Sequence, residues 1–324
     1  MNSLEIIRSI RLITDVCIDV RPGEKVLCVA DRQEYFETLT LLASECIARG
    51  AEAAVTLIEP RRHYYDEPPS FVTAAMEKAD IVVVMMPGSL VHTAARRQVN
   101  AGIKIAILEG PRDYFMAFDL TKEQLLKVKE QTEALQALLT KAQSARLLTK
   151  AGTDLTMSLE GRTGIALLPF AEKGMFCVVP GYAEAACAPI EDSVEGAAVI
   201  DAATVGAEDF EEIVQEPYEL KFRKGQIVSI SGGRDARKLE AILAAEKAAR
   251  AFAELGVNSN FFVPKKLRGS RLDMAIGGNA HIGLGRNEHI GGKSKANNHL
   301  DLSMVNATLI LDGKTVVEEG VLKL

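Results

Sequence analysis

The chain has 324 residues, 48% of them hydrophobic and 25% charged, which excludes disordered and fibrous classes and implies two domains. A formal charge of −6 and a pI of about 5.6 exclude a nucleic-acid partner, because phosphate binding needs a local excess of Lys and Arg. No apolar run approaches the roughly 18 residues of a membrane span, and the amino-terminal stretch mixes acids and bases, so neither a membrane partner nor a signal peptide is expected and the location is cytoplasmic.

The first half alternates short β-branched runs at 25–30, 53–58, 81–86 and 104–109 with helical stretches at 34–49, 69–79 and 92–101. That alternation specifies a parallel sheet with right-handed crossovers, Rossmann-like or flavodoxin-like. The first strand-to-helix turn, Ala30-Asp31-Arg32-Gln33-Glu34, has no glycine and carries two acids, which argues against a dinucleotide. Met86-Pro87-Gly88-Ser89 is a candidate loop at the carboxyl edge of the sheet, or simply a turn. A polar helix at 121–144, opened by the capping-box-like Thr121-Lys122-Glu123-Gln124, ends the first domain. The expected division is therefore a Rossmann-like α/β domain over 1–145 and an α+β metal-binding catalytic domain over 146–324. The second domain reads as strands at 146–159, 176–180, 197–201, 226–231 and 307–311, interrupted by one helix at 239–255. The five cysteines are odd in number and lack CxxC spacing, which fits buried thiols in a reducing compartment.

Three of the five histidines, His281, His289 and His299, fall in one glycine-rich polar stretch. Residues 279–293 read as a loop shaped around a site. Apolar alternation resumes at Asn298-His299-Leu300-Asp301-Leu302, so on a strand His299 and Asp301 share a face. With His281 upstream they are suitable ligands for Zn, Mn, Fe or Co; the plainer alternative is a core histidine bonded to Asp301. Glu184, among small and apolar residues, and Glu254, at the apparent glycine-capped end of the last helix, read by themselves as surface acids.

These segments resemble the thermophilic aminopeptidase (aminopeptidase T, peptidase M29) superfamily, which includes 2,5-dihydroxypyridine 5,6-dioxygenases. The likeness runs from Arg21-Pro22-Gly23-Glu24-Lys25-Val26 to the carboxyl terminus. Its most specific pieces are Ala188-Pro189-Ile190-Glu191-Asp192-Ser193-Val194-Glu195-Gly196, Glu254-Leu255-Gly256, and Gly291-Gly292-Lys293 leading to His299-Leu300-Asp301. The resemblance implies that Glu184, Glu254, His281, His299 and Asp301 hold one or two divalent transition metals, Zn, Mn, Co or Fe. The peptidases carry a tyrosine seven residues after their first histidine ligand, where this chain has Glu288. The short Gly291-Gly292-Lys293 connection looks more like the dioxygenase branch, whose members replace the Glu254 position by histidine and lack ligands matching Glu184 and His281.

The leading expectation is a cytoplasmic, aminopeptidase-like metal-dependent hydrolase of the M29 type, acting on a peptide N-terminus or a small amide, amine or heterocycle through a metal-activated water. Glu288 or His289 would shuttle the proton, and Arg286, Lys293 and Lys295 would bind a substrate carboxylate. The alternative is a non-haem Fe(II) ring-opening dioxygenase of a dihydroxypyridine-like aromatic. A third reading is a non-enzymatic α/β module with a structural histidine cluster. The expected partners are a small-molecule or short-peptide substrate and further copies of the chain in a homo-oligomer.

Overall fold

The computed structural model describes residues 3–60, 66–86, 90, 93, 102–108, 119–174, 176–206, 212–269 and 271–324. The helix expected at 92–101, apart from Thr93, and residues 87–89 of the expected loop lie outside them.

The expected mixed α/β fold is present. Strands Glu52–Leu57, Lys25–Ala30, Ile81–Met85, Lys104–Leu108 and Phe176–Val179 form a five-stranded sheet in that order, every pairing parallel. Ile81–Met85 is buried at every position and wholly apolar, as a strand covered on both faces must be. Helix Gln33–Ala48 buries Leu39, Leu42, Ala43 and Cys46. The turn before it carries no glycine; buried Asp31 instead pairs with Arg32 at 3.0 Å.

Chain packing gives two units, Met1–Lys127 with Leu167–Tyr182, and Val128–Ala166 with Ala183–Leu324. This corrects the single cut after residue 145. Phe176–Val179 belongs to the parallel sheet, not to the second domain. Its unbroken apolar run Phe-Cys-Val-Val is the pattern of a strand buried on both faces rather than one. Helix Lys122–Lys141 opens with the expected reciprocal cap, in which Thr121 N donates to Gln124 Oε1 at 2.8 Å and Gln124 N donates to Thr121 Oγ1 at 3.2 Å.

In the second unit an eight-stranded sheet and a seven-stranded sheet share one apolar core. The seven-stranded sheet runs in the order Glu212–Ile213, Ala203–Val205, His299–Met304, Ala280–Gly285, Phe252–Asn258, Glu184–Cys187 and Ile165–Leu167. One face supplies Ala185, Cys187, Leu255, Val257, Ile282, Leu284, Leu300 and Leu302 to the core. By the two-residue period of a strand, the other face carries Glu184, Glu254, Gly256, Asn258, His281, Gly283, His299, Asp301 and Ser303.

Two sequence expectations fail here for one reason. The helix expected at 239–255 is a helix over Arg234–Ala244, a short 3₁₀ turn at Lys247–Arg250 and the strand Phe252–Asn258. The Ala- and Glu-rich run favours helix locally, but Phe252, Leu255 and Val257 alternate into the core, and Phe252–Asn258 pairs with Glu184–Cys187 and Ala280–Gly285. The loop expected over 279–293 begins as the strand Ala280–Gly285, whose glycines leave room for neighbouring side chains. Among the described residues no helix is long and apolar enough to cross a membrane.

Candidate metal centre

Glu184, Glu254, His281, His299 and Asp301 are all buried, and four adjacent antiparallel strands bring them together. Gly256 stands opposite His281, and Gly283 stands between Glu254 and Asp301. Both glycines are required by space. A Cβ on Gly256 would lie 2.0 Å from Cε1 of His281, and one on Gly283 would lie 2.8 Å from Cε1 of His299. The imidazoles therefore lie against bare backbone, in space that any side chain at these two positions would take.

His281 Nε2 faces Glu184 Oε2 at 3.4 Å and Glu254 Oε1 at 3.7 Å. His299 Nε2 faces Glu254 Oε2 at 3.2 Å and Asp301 Oδ1 at 3.0 Å. The two oxygens of Glu254 thus address one imidazole each. The opposite ring nitrogens are tied back, His281 Nδ1 to Asn258 Oδ1 at 3.2 Å and His299 Nδ1 to the Arg286 carbonyl at 2.6 Å. A proton on Nδ1 makes these hydrogen bonds and turns Nε2 toward the carboxylates, the usual outer support of a histidine ligand.

Burial opposes charge throughout the cluster, so the ion pairs decide its protonation. Burial pushes the His281 imidazole down, but the Glu184 charge, followed by Glu254 and Asp301, carries it up to about 9. Burial likewise opposes His299, and Asp301 and Glu254 hold it well above the ordinary imidazole range. Burial raises Glu254, yet its contacts with His281 and His299 bring it below the usual carboxylate range. The facing acids therefore favour positive charge on the two imidazoles, and a divalent cation would supply positive charge in its place. Ser303 Oγ and Asn258 Nδ2 on the same face are buried and lack hydrogen-bond partners among the described residues. The nitrogen and oxygen donors, the tied-back imidazoles and these polar atoms fit a metal site. Ligand atoms of Glu184, Glu254 and His281 lie within 4.8 Å of one another, as do those of Glu254, His289 and His299.

The flanking candidates divide. His289, on the 3₁₀ turn Glu288–Ile290, sets its ring edge-on to His299, with centroids 5.0 Å apart and planes at 83°. Burial, then the His299 charge, lowers its pKa, while the residue keeps solvent exposure. Glu288 is exposed and pairs with Arg286 at 3.1 Å. Lys295 approaches Glu288 at 3.9 Å with its side chain 79% exposed, and Lys293 is exposed as well. The cysteines take no part: all five are free and buried, and burial raises the Cys187 thiol to about 11.

Sequence reasoning passed over Asn258, Asn287 and the Arg162–Glu191 pair. Asn258 supports His281, while Asn287 donates from Nδ2 to the Ala253 carbonyl at 3.1 Å. Arg162 binds Glu191 Oε2 at 2.5 Å, and Glu191 Oε1 accepts from Lys293 N at 2.7 Å. Glu191 was visible within the motif at 188–196 and its role was not. A polar side chain gives no local sign of which distant loop it will anchor.

The fold is shared with two solved structures, and the buried cluster is a set of nitrogen and oxygen donors that could hold a metal. The structure of AmpT from Thermus thermophilus superposes with a TM-score of 0.69 at 17% identity, over 100% of both chains. The structure of 2,5-dihydroxypyridine dioxygenase from Pseudomonas putida KT2440 superposes with a TM-score of 0.78 at 21% identity, over 99% of this chain and 96% of that one. Residues 15–324 match the family described as NicX, 2,5-dihydroxypyridine 5,6-dioxygenase, and the chain belongs to it. The 2,5-dihydroxypyridine 5,6-dioxygenase of Pseudomonas putida KT2440 is 27% identical over 259 residues, 76% of this chain and 71% of that protein.

This membership overturns the expected aminopeptidase-like hydrolase. The expected ligand set counts Glu184 and Glu254 among three carboxylates. In the folded chain each faces an imidazole, so the acids are partly compensated within the protein and their number does not require two cations.

Proposed function

We propose that the chain is a non-haem iron(II) dioxygenase that opens the ring of a dihydroxylated nitrogen heteroaromatic of the 2,5-dihydroxypyridine kind. The observation that carries this reading is the buried cluster in which His281 and His299 turn Nε2 onto the two oxygens of Glu254, in a chain of this family. Two histidines with carboxylates is the donor chemistry of non-haem iron oxygenases. His281, His299, Glu184, Glu254 and Asp301 are the proposed metal-holding set. Bound there, iron(II) would supply the one-electron chemistry that lets dioxygen react with an electron-rich ring.

The protein's own contribution is to fix donors and exclude water. Gly256 and Gly283 seat the imidazoles, and Asn258 with the Arg286 carbonyl fixes their tautomer. Ser303 Oγ, which can donate or accept, and Asn258 Nδ2, which can only donate, are available to hydrogen-bond a ligand oxygen. Glu288 is the group proposed to carry a proton at the edge of the site. Arg286, Lys293 and Lys295 are proposed to attract an ionised ring hydroxyl. Both oxygen atoms of dioxygen enter the product, so no external reductant is consumed.

The test is anaerobic loading with Fe(II) followed by 2,5-dihydroxypyridine in an oxygen electrode cell. The expected result is one dioxygen consumed per ring lost, with loss of the ring's ultraviolet absorption. No oxygen uptake across a panel of dihydroxypyridines and dihydroxybenzenes would refute the proposal.

A further inference from the structure

His289 was expected to carry a proton, but the way its turn is held points to a different role. Asn287, just before the turn, is fully buried. Its Nδ2 donates to the Ala253 carbonyl at 3.1 Å, its Oδ1 accepts from Ser294 N at 2.7 Å, and its own carbonyl accepts from Gly292 N at 2.9 Å. A Cβ on Gly292 would lie 2.1 Å from Cγ of Asn287, so the chain closes on that side chain without a gap. Just after the turn, Arg162 donates to the Gly291 carbonyl at 2.9 Å while Glu191 holds Lys293 N at 2.7 Å. Ile290 is buried beneath.

A group that exchanges protons with solvent can sit on a loose loop, whereas a ligand must be held within a fraction of an ångström. The anchored turn delivers the His289 ring edge-on to His299, and its ligand atom lies within 4.8 Å of those of Glu254 and His299. We propose that His289 is a ligand of the metal held at His299 and Glu254, so that two imidazoles and one carboxylate from three separate segments converge on one ion. Such a set is the three-ligand face of non-haem iron sites, with positions left open for substrate and dioxygen. Asp301 beside His299, and His281 with Glu184 at the other oxygen of Glu254, remain the rest of the metal-holding set proposed above. The inference rests on the metal reading of the cluster and adds a ligand to it.

The experiment strips the full-length protein with a chelator and titrates it with Co(II), whose visible d–d absorption reports ligand number and type. The parent, His289→Ala, His289→Asn and Glu288→Gln are compared, with far-UV circular dichroism to establish folding. The expected result is a bound Co(II) with a distinct band in the parent. His289→Ala and His289→Asn should weaken Co(II) binding by at least about tenfold and alter the band, while Glu288→Gln should leave both as in the parent. Imidazole added to His289→Ala should restore the parent band, because the position opens to solvent. Unchanged Co(II) affinity and band in both His289 variants would overturn the inference and leave the metal reading standing. A parent protein that takes up no Co(II) would overturn that reading, and the inference with it.

Discussion

The two units contain sheets whose central strands are equally buried and chemically unlike. Ile81–Met85 is buried and apolar throughout. Ala280–Gly285 and His299–Met304 are also buried throughout, yet every second residue is polar or glycine. In an ordinary antiparallel sheet a polar face meets water. Here it does not, so the polar face must be satisfied by itself or by a ligand. Alternation of chemistry without alternation of burial is what sets the site sheet apart from a scaffold sheet.

The sharpest way to break this comparison is to trade a glycine of one sheet against a core residue of the other. Gly256→Ala drives a methyl group into the His281 ring, and metal binding should be lost. Ile107→Ala, in the parallel sheet, should cost about 2–5 kcal/mol of stability and leave metal content intact. Metal analysis and urea unfolding of both variants decide the matter; retention by Gly256→Ala with loss by Ile107→Ala would reverse the assignment of roles.

His299→Ala and Asp301→Ala come next. Each should abolish metal retention with little change in far-UV circular dichroism. Each should also destabilise the metal-free protein by roughly 3–5 kcal/mol, because a buried partner is left uncompensated. Full metal content in both variants would remove the core of the metal assignment. Asn258→Ala releases His281 Nδ1, and isothermal titration should show metal affinity falling about 10- to 100-fold.

The pH dependence of metal-free stability sharpens the same contrast. The His281 pKa is raised to about 9 in the folded chain, against an ordinary value of about 6.5. Its stabilising charge is therefore fully present below about 6.5 and is lost as pH rises through about 9. Metal must displace that proton, so metal affinity should rise over the same interval. Thermal melts with and without chelator check both trends, and a flat metal-free profile between these limits would contradict the His281 pairing. The smallest effect belongs to Lys295→Ala, whose exposed contact with Glu288 should contribute less than about 0.5 kcal/mol to stability.

The parts of the molecule that sequence makes legible are those whose partners are close along the chain. The strand at Lys25–Ala30 and the cap at Thr121 are of this kind, and so is the shared face of His299 and Asp301, because alternation and capping are local patterns. Glu184 and Glu254 became candidates through family resemblance alone. Residues around Glu254 favour helix locally, and their strand state depends on pairing with Ala185–Cys187 and with residues beyond 280. Phe176–Val179 was misassigned for the same reason, since its partner Lys104–Leu108 lies far back in the chain. The reaction was misjudged on different grounds. Nothing local in the sequence shows that Glu184 and Glu254 each face an imidazole, and that pairing becomes visible once the strands are in register.

The most direct test of the central claim is product analysis after turnover of the Fe(II)-loaded protein with 2,5-dihydroxypyridine under ¹⁸O₂. The account predicts a ring-opened product carrying two ¹⁸O atoms, less any lost by exchange with water. Ring loss with no ¹⁸O in the product and no dioxygen consumed would contradict it.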